Sequence, residues 1–281
     1  MLIKEAIKKG MIELKVNNIE NPNLKARLLM QYILNKPRQY LLTHDDEEIS
    51  KVQQQEYLKS IKKMIKGTPL QHITHSQEFM KMNFYVNQEV LIPRPDTEIL
   101  VEETIKIAKQ MKARKILDLC TGSGAIAVSI AKYVENVEIT AIDISEKALR
   151  VAKLNAKNNE VDDKITFIKS DLFQNVEKEK YDIIVSNPPY IKRDIIRNLD
   201  KEVQNEPNIA LDGGYDGLDF YRKIVSEGFD YLKYEGYLCL EIGYDQKEEV
   251  TSIIKEQERY GYIYSKKDLN ENDRVIITQI K

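Results

Sequence analysis

The sequence predicts an α/β chain in which a small all-α helical bundle and a β-hairpin linker precede a mostly parallel sheet with helices on both faces. Three observations carry that expectation. The first 66 residues show only helical spacing, short β-type runs follow as far as Pro95, and strand and helix patterns then alternate to the end. The expected divisions are residues 1–66, 67–95 and 96–281.

In the first division Ile3, Ile7 and Met11 fall on one helical face. A second helix opens at Asn21-Pro22, where proline suits the first turn, and carries Leu24, Leu28, Met30 and Ile33. A third begins after Asp45 or Asp46, runs through Ile49, Val52, Tyr57, Ile61 and Ile65, and stops at Gly67 with Pro69 beyond. Nothing here carries a catalytic pattern, so a bundle or a partner-binding module is expected. Runs at 82–86 and 90–92 flank a polar turn and suggest the hairpin. After Pro93-Arg94-Pro95 a helix starts at Asp96 or Thr97 and reaches about Lys112. Strands are expected at 115–119, 137–142, 165–168 and 182–186, and helices at 124–133 and 145–158. A helix near 218–232, a strand at 237–242, a helix near 246–257 and strands around Tyr262 and at 274–280 complete the pattern.

Composition narrows the function classes. Of 281 residues, 42% are hydrophobic and 31% charged, the balance of a globular chain with ample core. A formal net charge of -2 gives the whole molecule no polycationic attraction for nucleic acid. Cys120 and Cys239, both inside apolar runs, make no disulfide framework or zinc cluster and fit a reducing compartment. The N-terminus lacks the apolar stretch of a signal peptide, and no segment has the roughly 20 apolar residues that cross a bilayer. A cytoplasmic location and no membrane contact are expected. His72 and His75 lack a third ligand group, so they read as surface histidines and no metal is expected.

Asp118-Leu119-Cys120-Thr121-Gly122-Ser123-Gly124 places a strand directly before a glycine-rich turn that opens a helix. Glycine lets the main chain approach a ligand, and free N–H groups at a helix start can meet a carboxylate or phosphate. Gly122, Gly124 and Ala127 also satisfy a dinucleotide fingerprint, so the turn alone leaves the ligand open. Asp143 ends the next strand, where a carboxylate can accept from ribose hydroxyls in either setting. Asp118 separates them: an acid there suits the ammonium of a methionine moiety and repels a pyrophosphate. Asp171, Leu172 and Phe173 follow the third strand, where an adenine can meet the carboxylate and the apolar side chains.

The fourth strand runs into Asn187-Pro188-Pro189-Tyr190. Consecutive prolines stiffen the backbone and take it out of the sheet at its carboxyl end, where open α/β sheets bind ligands. The Asn187 side-chain oxygen and the Pro188 carbonyl can hold both hydrogens of a planar NH2 group, and Tyr190 offers a stacking face. Amide nitrogen is a poor nucleophile because its lone pair is delocalised. Gripping its hydrogens with neutral acceptors raises electron density on nitrogen and aims it at a methyl donor.

These segments resemble the PrmC/HemK family of protein-(glutamine-N5) methyltransferases. The resemblance lies in Leu91-Ile-Pro-Arg-Pro-Asp-Thr-Glu98, Asp118 to Gly124, Ser186 to Ile191, Glu206 to Leu218 and Leu240-Glu-Ile-Gly243, with Gly67-Thr-Pro69 similar to the interdomain segment. It implies a Rossmann-like class I methyltransferase domain using S-adenosyl-L-methionine, with the glutamine of a Gly-Gly-Gln motif in peptide chain release factors as substrate. It also implies cofactor contacts at Cys120, Thr121, Gly122, Ser123, Gly124, Asp143, Leu172 and Asn187. Substrate contacts are implied at Asn187, Pro188, Pro189 and Tyr190, and the N-terminal helices would help to dock the factor. Cys120 stands where glycine is common in the family, and Leu172 where some members carry an aromatic residue. A monomer without a nucleic-acid substrate is expected. Two other enzymes share parts of the pattern. An adenine-N6 methyltransferase on DNA or RNA would use the same grip but calls for a basic recognition region. An NAD-dependent oxidoreductase leaves the Asn187 motif without a role. A third alternative is a non-catalytic scaffold that binds release factor or ribosome, which the intact cofactor and Asn187 motifs disfavour. Arg94 and Glu98 either order the linker over the cofactor or cap a helix.

Overall fold

A computed structural model describes residues 1–281, which separate into two units, 1–75 with 199–205 and 76–198 with 206–281.

The first unit holds α1 (Ile3–Val16), α2 (Pro22–Leu34), α3 (Arg38–Thr43), α4 (Lys51–Ile65) and α5 (Leu70–Thr74). α1 buries Ile3, Ala6, Ile7, Gly10 and Leu14 at helical spacing. A Cβ on Gly10 would lie 2.3 Å from the Tyr57 hydroxyl oxygen, so glycine sets how closely α1 and α4 approach. The buried Tyr57 hydroxyl donates to the Ala26 carbonyl at 3.2 Å. On α2 the buried face is Ala26, Leu29 and Met30, and Leu24 and Leu28 are exposed, which rotates the expected stripe toward the small alanine. α4 starts later than the sequence predicts. Residues 47–49 first run against the N-terminus, with Ile3 N–H donating to the Glu47 carbonyl at 2.9 Å and Ile49 N–H to Met1 at 3.1 Å. Ser50 and Gln53 then form a reciprocal capping box. Ile49 is therefore core without being helical, and Val52 is 72% exposed. α5 buries Leu70, His72 and Ile73, so His72 is a core residue and not a surface one. Residues 199–205 join this unit through a Lys25–Glu202 ion pair.

In the second unit, β1 (Gln77–Phe79) and β2 (Met82–Phe84) form an antiparallel hairpin. Its turn is Met80-Lys81, both with positive φ (51° and 60°), a shape normally signalled by Asn or Gly. The run at 90–92 is not a strand: Val90 and Ile92 instead bury against Ala148 and Val151. Next come α6 (Thr97–Met111), β3 (Lys115–Leu119), α7 (Ala125–Tyr133), β4 (Glu138–Asp143), α8 (Glu146–Asn158), β5 (Ile165–Lys169) and β6 (Tyr181–Ser186). After the short α9 (Lys201–Gln204), which lies in the first unit, the chain forms α10 (Asp219–Gly228), β7 (Leu232–Glu241), α11 (Lys247–Lys255), β8 (Tyr260–Lys267) and β9 (Asp273–Ile280).

The sheet order is β5-β4-β3-β6-β7-β9-β8, parallel through β7 and antiparallel at β9 and β8. Alternate strand residues feed two cores. Ile116, Ile183 and Val185 pack with α6 and α7 on one face, and Leu117, Leu119 and Ile184 pack with α10 and α11 on the other. This is the mostly parallel, doubly covered sheet that the sequence predicts. The chain builds outward from β3 to β5, then returns to β6, so β3 and β6 flank the switch point where such sheets bind ligands. No helix is long and apolar enough to cross a membrane.

Candidate active site

The turn after β3 is left-handed at Cys120 (φ 61°), Gly122 (55°) and Gly124 (80°). Cys120 thus holds a conformation that favours glycine. Gly124 has a second reason to lack a side chain, because a Cβ would sit 3.0 Å from that of Ala152 on α8. Thr121 N–H donates to the Ile142 carbonyl at 2.8 Å, and the Ser123 carbonyl accepts from the Asn155 side chain at 2.8 Å. The turn is therefore held against β4 and α8.

Asp143 joins two backbone segments: one carboxylate oxygen accepts from Gly122 N–H at 2.9 Å and the other from Ser145 N–H at 2.8 Å. Burial raises its pKa against these hydrogen bonds. Asp118 is 0% exposed. Its Oδ2 accepts from the Thr121 hydroxyl at 2.5 Å, and its Oδ1 has no partner. Burial pushes this carboxyl up to about 7, opposed by the Thr121 hydroxyl and reinforced by the negative Asp143.

Cys120, Gly122, Asp143, Asp171, Leu172, Asn187 and Pro189 line one cavity. Asp118, Thr121, Ser123, Gly124, Pro188 and Tyr190, also expected at the site, are not among its lining residues. Leu172 takes a left-handed conformation (φ 47°). Phe173, expected beside it, turns into the core and stacks on Tyr231 at 4.6 Å, so it does not line the cavity, whose apolar lining includes Ile144, Leu172 and Phe220.

Beyond β6, the Ser186 hydroxyl donates to the Leu119 carbonyl at 2.8 Å and ties the motif to β3. The Asn187 side-chain NH2 donates to the Thr97 hydroxyl oxygen at 3.2 Å, which leaves Oδ1 as the end able to accept. Tyr190 is half-buried, and its hydroxyl donates to Glu241 at 3.4 Å. Burial raises the Tyr190 pKa.

The segment from Glu206 to Leu218 braces this motif. Ile191 N–H donates to the Leu211 carbonyl at 3.0 Å, Gly213 N–H returns to Ile191 at 2.9 Å, and Gln246 Nε2 donates to the Tyr190 carbonyl at 3.0 Å. A Cβ on Gly213 would lie 2.7 Å from the Tyr190 Cα, a backbone contact that cannot yield cheaply. Gly213→Ala is therefore expected to lower the melting temperature and to cut turnover by at least about tenfold, since a misplacement near 1 Å costs about 100-fold. Unchanged activity in that variant would show that the motif does not depend on the brace. Arg94 and Glu98 also find their partners. Arg94 pairs with the buried Glu206, which accepts from Ile92 N–H at 2.8 Å as well, and Glu98 accepts from Met80 N–H at 2.6 Å in the hairpin turn.

Two residues escaped the sequence argument. Thr97 and Glu241 lie in runs that carry the family resemblance, but neither belongs to a ligand pattern. The available signal was a lone acid at the end of the apolar strand β7. Glu241 is 2% exposed, and burial pushes its carboxyl up to about 7 against the opposing effects of Thr97, Arg274 and Tyr190. With Asp118, Asp143 and Glu241 all raised, the folded chain binds protons more tightly than the unfolded chain above the ordinary carboxylate range. The contribution of Asp118 and Glu241 to stability is complete below that range and is lost as pH rises through about 7. Scanning calorimetry of the ligand-free protein is expected to give a lower melting temperature at pH 7.5 than at pH 5.5, and a flat or rising profile would contradict it.

Comparison with known proteins places this geometry. Residues 95–207 match the Methyltransferase small domain and residues 5–74 the PrmC N-terminal domain. The release factor glutamine methyltransferase of Clostridium acetobutylicum is 42% identical over 280 residues, covering 99% of this chain and 98% of its own length. That of Clostridium botulinum is 38% identical over 281 residues, covering 98% of each. The solved ribosomal protein L11 methylase of Lactobacillus delbrueckii subsp. bulgaricus shares the fold, with a TM-score of 0.51 and 19% identity over 70% of this chain and 84% of that one. The second unit is a class I methyltransferase fold, and the chain belongs to the release factor glutamine methyltransferase family.

Proposed function

We propose that this chain transfers a methyl group from S-adenosyl-L-methionine to the side-chain amide nitrogen (N5) of the glutamine in the Gly-Gly-Gln motif of peptide chain release factors, and so modulates translation termination. The observation that carries the proposal is the fixed Asn187 amide. With its NH2 end tied to Thr97, its oxygen is committed to accepting at the switch point of the sheet.

The cofactor fits the residues present. The unpartnered Asp118 Oδ1, buried next to the glycine turn, suits an ammonium group and would repel a pyrophosphate, which disfavours NAD. Asp143 keeps acceptor capacity for ribose hydroxyls, and Ile144, Leu172 and Phe220 provide an apolar wall for a purine with Asp171 beside it. When bound, the cofactor supplies an electrophilic methyl on its sulfonium. Asn187 Oδ1 and the Pro188 carbonyl hold the two hydrogens of the glutamine NH2. This orients the nitrogen and raises its electron density. The proton it loses becomes acidic only as the N–C bond forms, so no strong base is needed beforehand. In this proposal the N-terminal helices dock the release factor, supported by their match to the PrmC N-terminal domain. A net charge of -2 speaks against a nucleic-acid substrate.

Two experiments test the halves of this proposal. Calorimetric titration is expected to show binding of S-adenosylhomocysteine and none of NAD, and the reverse would refute the cofactor assignment. A release factor whose Gly-Gly-Gln glutamine is replaced by alanine is expected to accept no radiolabelled methyl. Labelling equal to that of the unaltered factor would refute the glutamine assignment.

A further inference from the structure

A motif that grips a substrate amide must be held still, yet Pro188 and Pro189 have no N–H with which to anchor it. Its carbonyls must therefore meet donors from elsewhere in the fold. At the Tyr190 carbonyl the donor is a side chain, Gln246 Nε2, at 3.0 Å. Gln246 caps the start of α11, is 4% exposed and does not line the cavity. The same nitrogen donates to the Gly217 carbonyl ahead of α10 at 3.2 Å. Its Oε1 accepts from Gly243 N–H after β7 at 2.9 Å and from the Tyr221 hydroxyl on α10 at 3.4 Å.

These partners give the amide one orientation. Turned over, its oxygen would face two carbonyls and its NH2 would face an N–H. The backbone closes on both ends of it. A Cβ on Gly217, whose φ is 79°, would lie 2.5 Å from the Tyr190 carbonyl oxygen and 2.8 Å from Gln246 Nε2. One on Gly243 would lie 2.8 Å from Gln246 Oε1. We infer that Gln246 is a positioning residue for methyl transfer: its NH2 group ties the Tyr190 carbonyl to the turn before α10 and fixes the Asn187 motif from its far end. The motif is then pinned on both sides, Ser186 to Leu119 before it and Tyr190 to Gln246 after it. This rests on the proposed glutamine chemistry, in which Asn187 and Pro188 grip the substrate NH2.

A side chain that only fills space here would serve equally as an amide or as a carboxyl, whereas a positioning donor would not. Gln246→Glu keeps the shape and can still accept from Gly243 N–H. Ionised, it turns an oxygen without a hydrogen toward the Tyr190 and Gly217 carbonyls. Protonated, it regains one donor. Burial beside two carbonyls disfavours the charged form and moves that titration up toward the assay range. The titratable and charged groups around the position are Tyr190 after β6, Tyr221 on α10, Glu241 at the end of β7 and Arg274 on β9, with Asp245 and Lys247 adjoining in sequence. Wild type and variant share all of them, so the ratio of their activities reports on the new carboxyl alone.

The test uses the full chain with S-adenosylmethionine and release factor, comparing wild type, Gln246→Met and Gln246→Glu over about pH 6 to 9. Gln246→Met, which keeps the bulk without the donors, is expected to lower kcat about tenfold or more, because small misplacements of a reacting group are costly. The KM for release factor and the Kd for S-adenosylhomocysteine should move by no more than about threefold, since the interaction lost acts on the reaction step. The ratio of Gln246→Glu to wild-type kcat is expected to fall as pH rises and to recover at the acid end. Hydrogen exchange read by mass spectrometry is independent of turnover. Peptides spanning 187–195, in which Ile191 N–H donates to Leu211, should exchange faster in Gln246→Met, and those spanning 115–124 should not. A folded Gln246→Met that keeps kcat within about threefold overturns the inference, as do equal losses of turnover and cofactor affinity. If Gln246→Met does not fold, Gln246→Glu decides, and a ratio that stays flat with pH overturns the inference. If the wild type methylates no release factor, the functional proposal fails, and exchange over 187–195 still decides whether Gln246 holds the motif.

Discussion

Replacing Asn187 with alanine is expected to lower kcat for methyl transfer by about 100- to 1,000-fold, the range for losing one preorganised polar group aimed at the reacting centre. The side chain lines the cavity, but its only bond within the protein is the one from Nδ2 to Thr97. Its removal leaves the glycine turn, Asp118 and Asp143 as they are, so cofactor affinity should fall far less than turnover. The backbone should also stay in place, because Pro188 and Pro189 stiffen it and Ser186 anchors it to Leu119 at 2.8 Å. Steady-state kinetics beside calorimetric titration separate the two quantities. Equal losses of turnover and cofactor affinity in a folded variant would reject the orienting role.

Asp118→Asn is expected to act on the other side of that division. The substitution keeps the shape of the side chain and its acceptor for Thr121, but removes the charge proposed to meet the cofactor ammonium. Losing one partner of a buried charge pair costs about 2–5 kcal/mol, so the Kd for S-adenosylhomocysteine should rise on the order of 100-fold. The ligand-free variant should be at least as stable as the wild type, because the carboxylate that burial disfavours is gone. Wild-type affinity should also fall as pH drops below about 7, where Asp118 takes up a proton, and the variant should lack that dependence. An affinity unchanged by the substitution would mean that the ammonium lies elsewhere.

The parts of the fold legible in the sequence are those whose patterns are local. β3 and β6 are runs of alternately directed apolar residues buried on both faces, and the turns after them carry Gly122, Gly124 and the two prolines. The hairpin was misplaced by several residues because Met80 and Lys81 adopt a turn that Asn or Gly would have announced. The start of α4 was misjudged because backbone pairing to residues 1–3, which has no sequence signature, claims residues 47–49 before Ser50 can cap. In the cavity, Phe173 was assigned to the wall from its neighbours, but the left-handed backbone at Leu172 turns it toward Tyr231. Thr97 and Glu241 were invisible for a related reason. They lie far apart in the sequence, and Thr97 meets Asn187 and Glu241 meets Tyr190 only once α6, β6 and β7 are assembled.

The most direct test of the central claim is mass spectrometry of a purified release factor after incubation with this protein and S-adenosylmethionine, with an adenine-containing oligonucleotide in a parallel reaction. The expected result is one added methyl, located by fragmentation on the side-chain nitrogen of the Gly-Gly-Gln glutamine, and none on the oligonucleotide. A methyl on the adenine, or on any release-factor residue other than that glutamine, would contradict it.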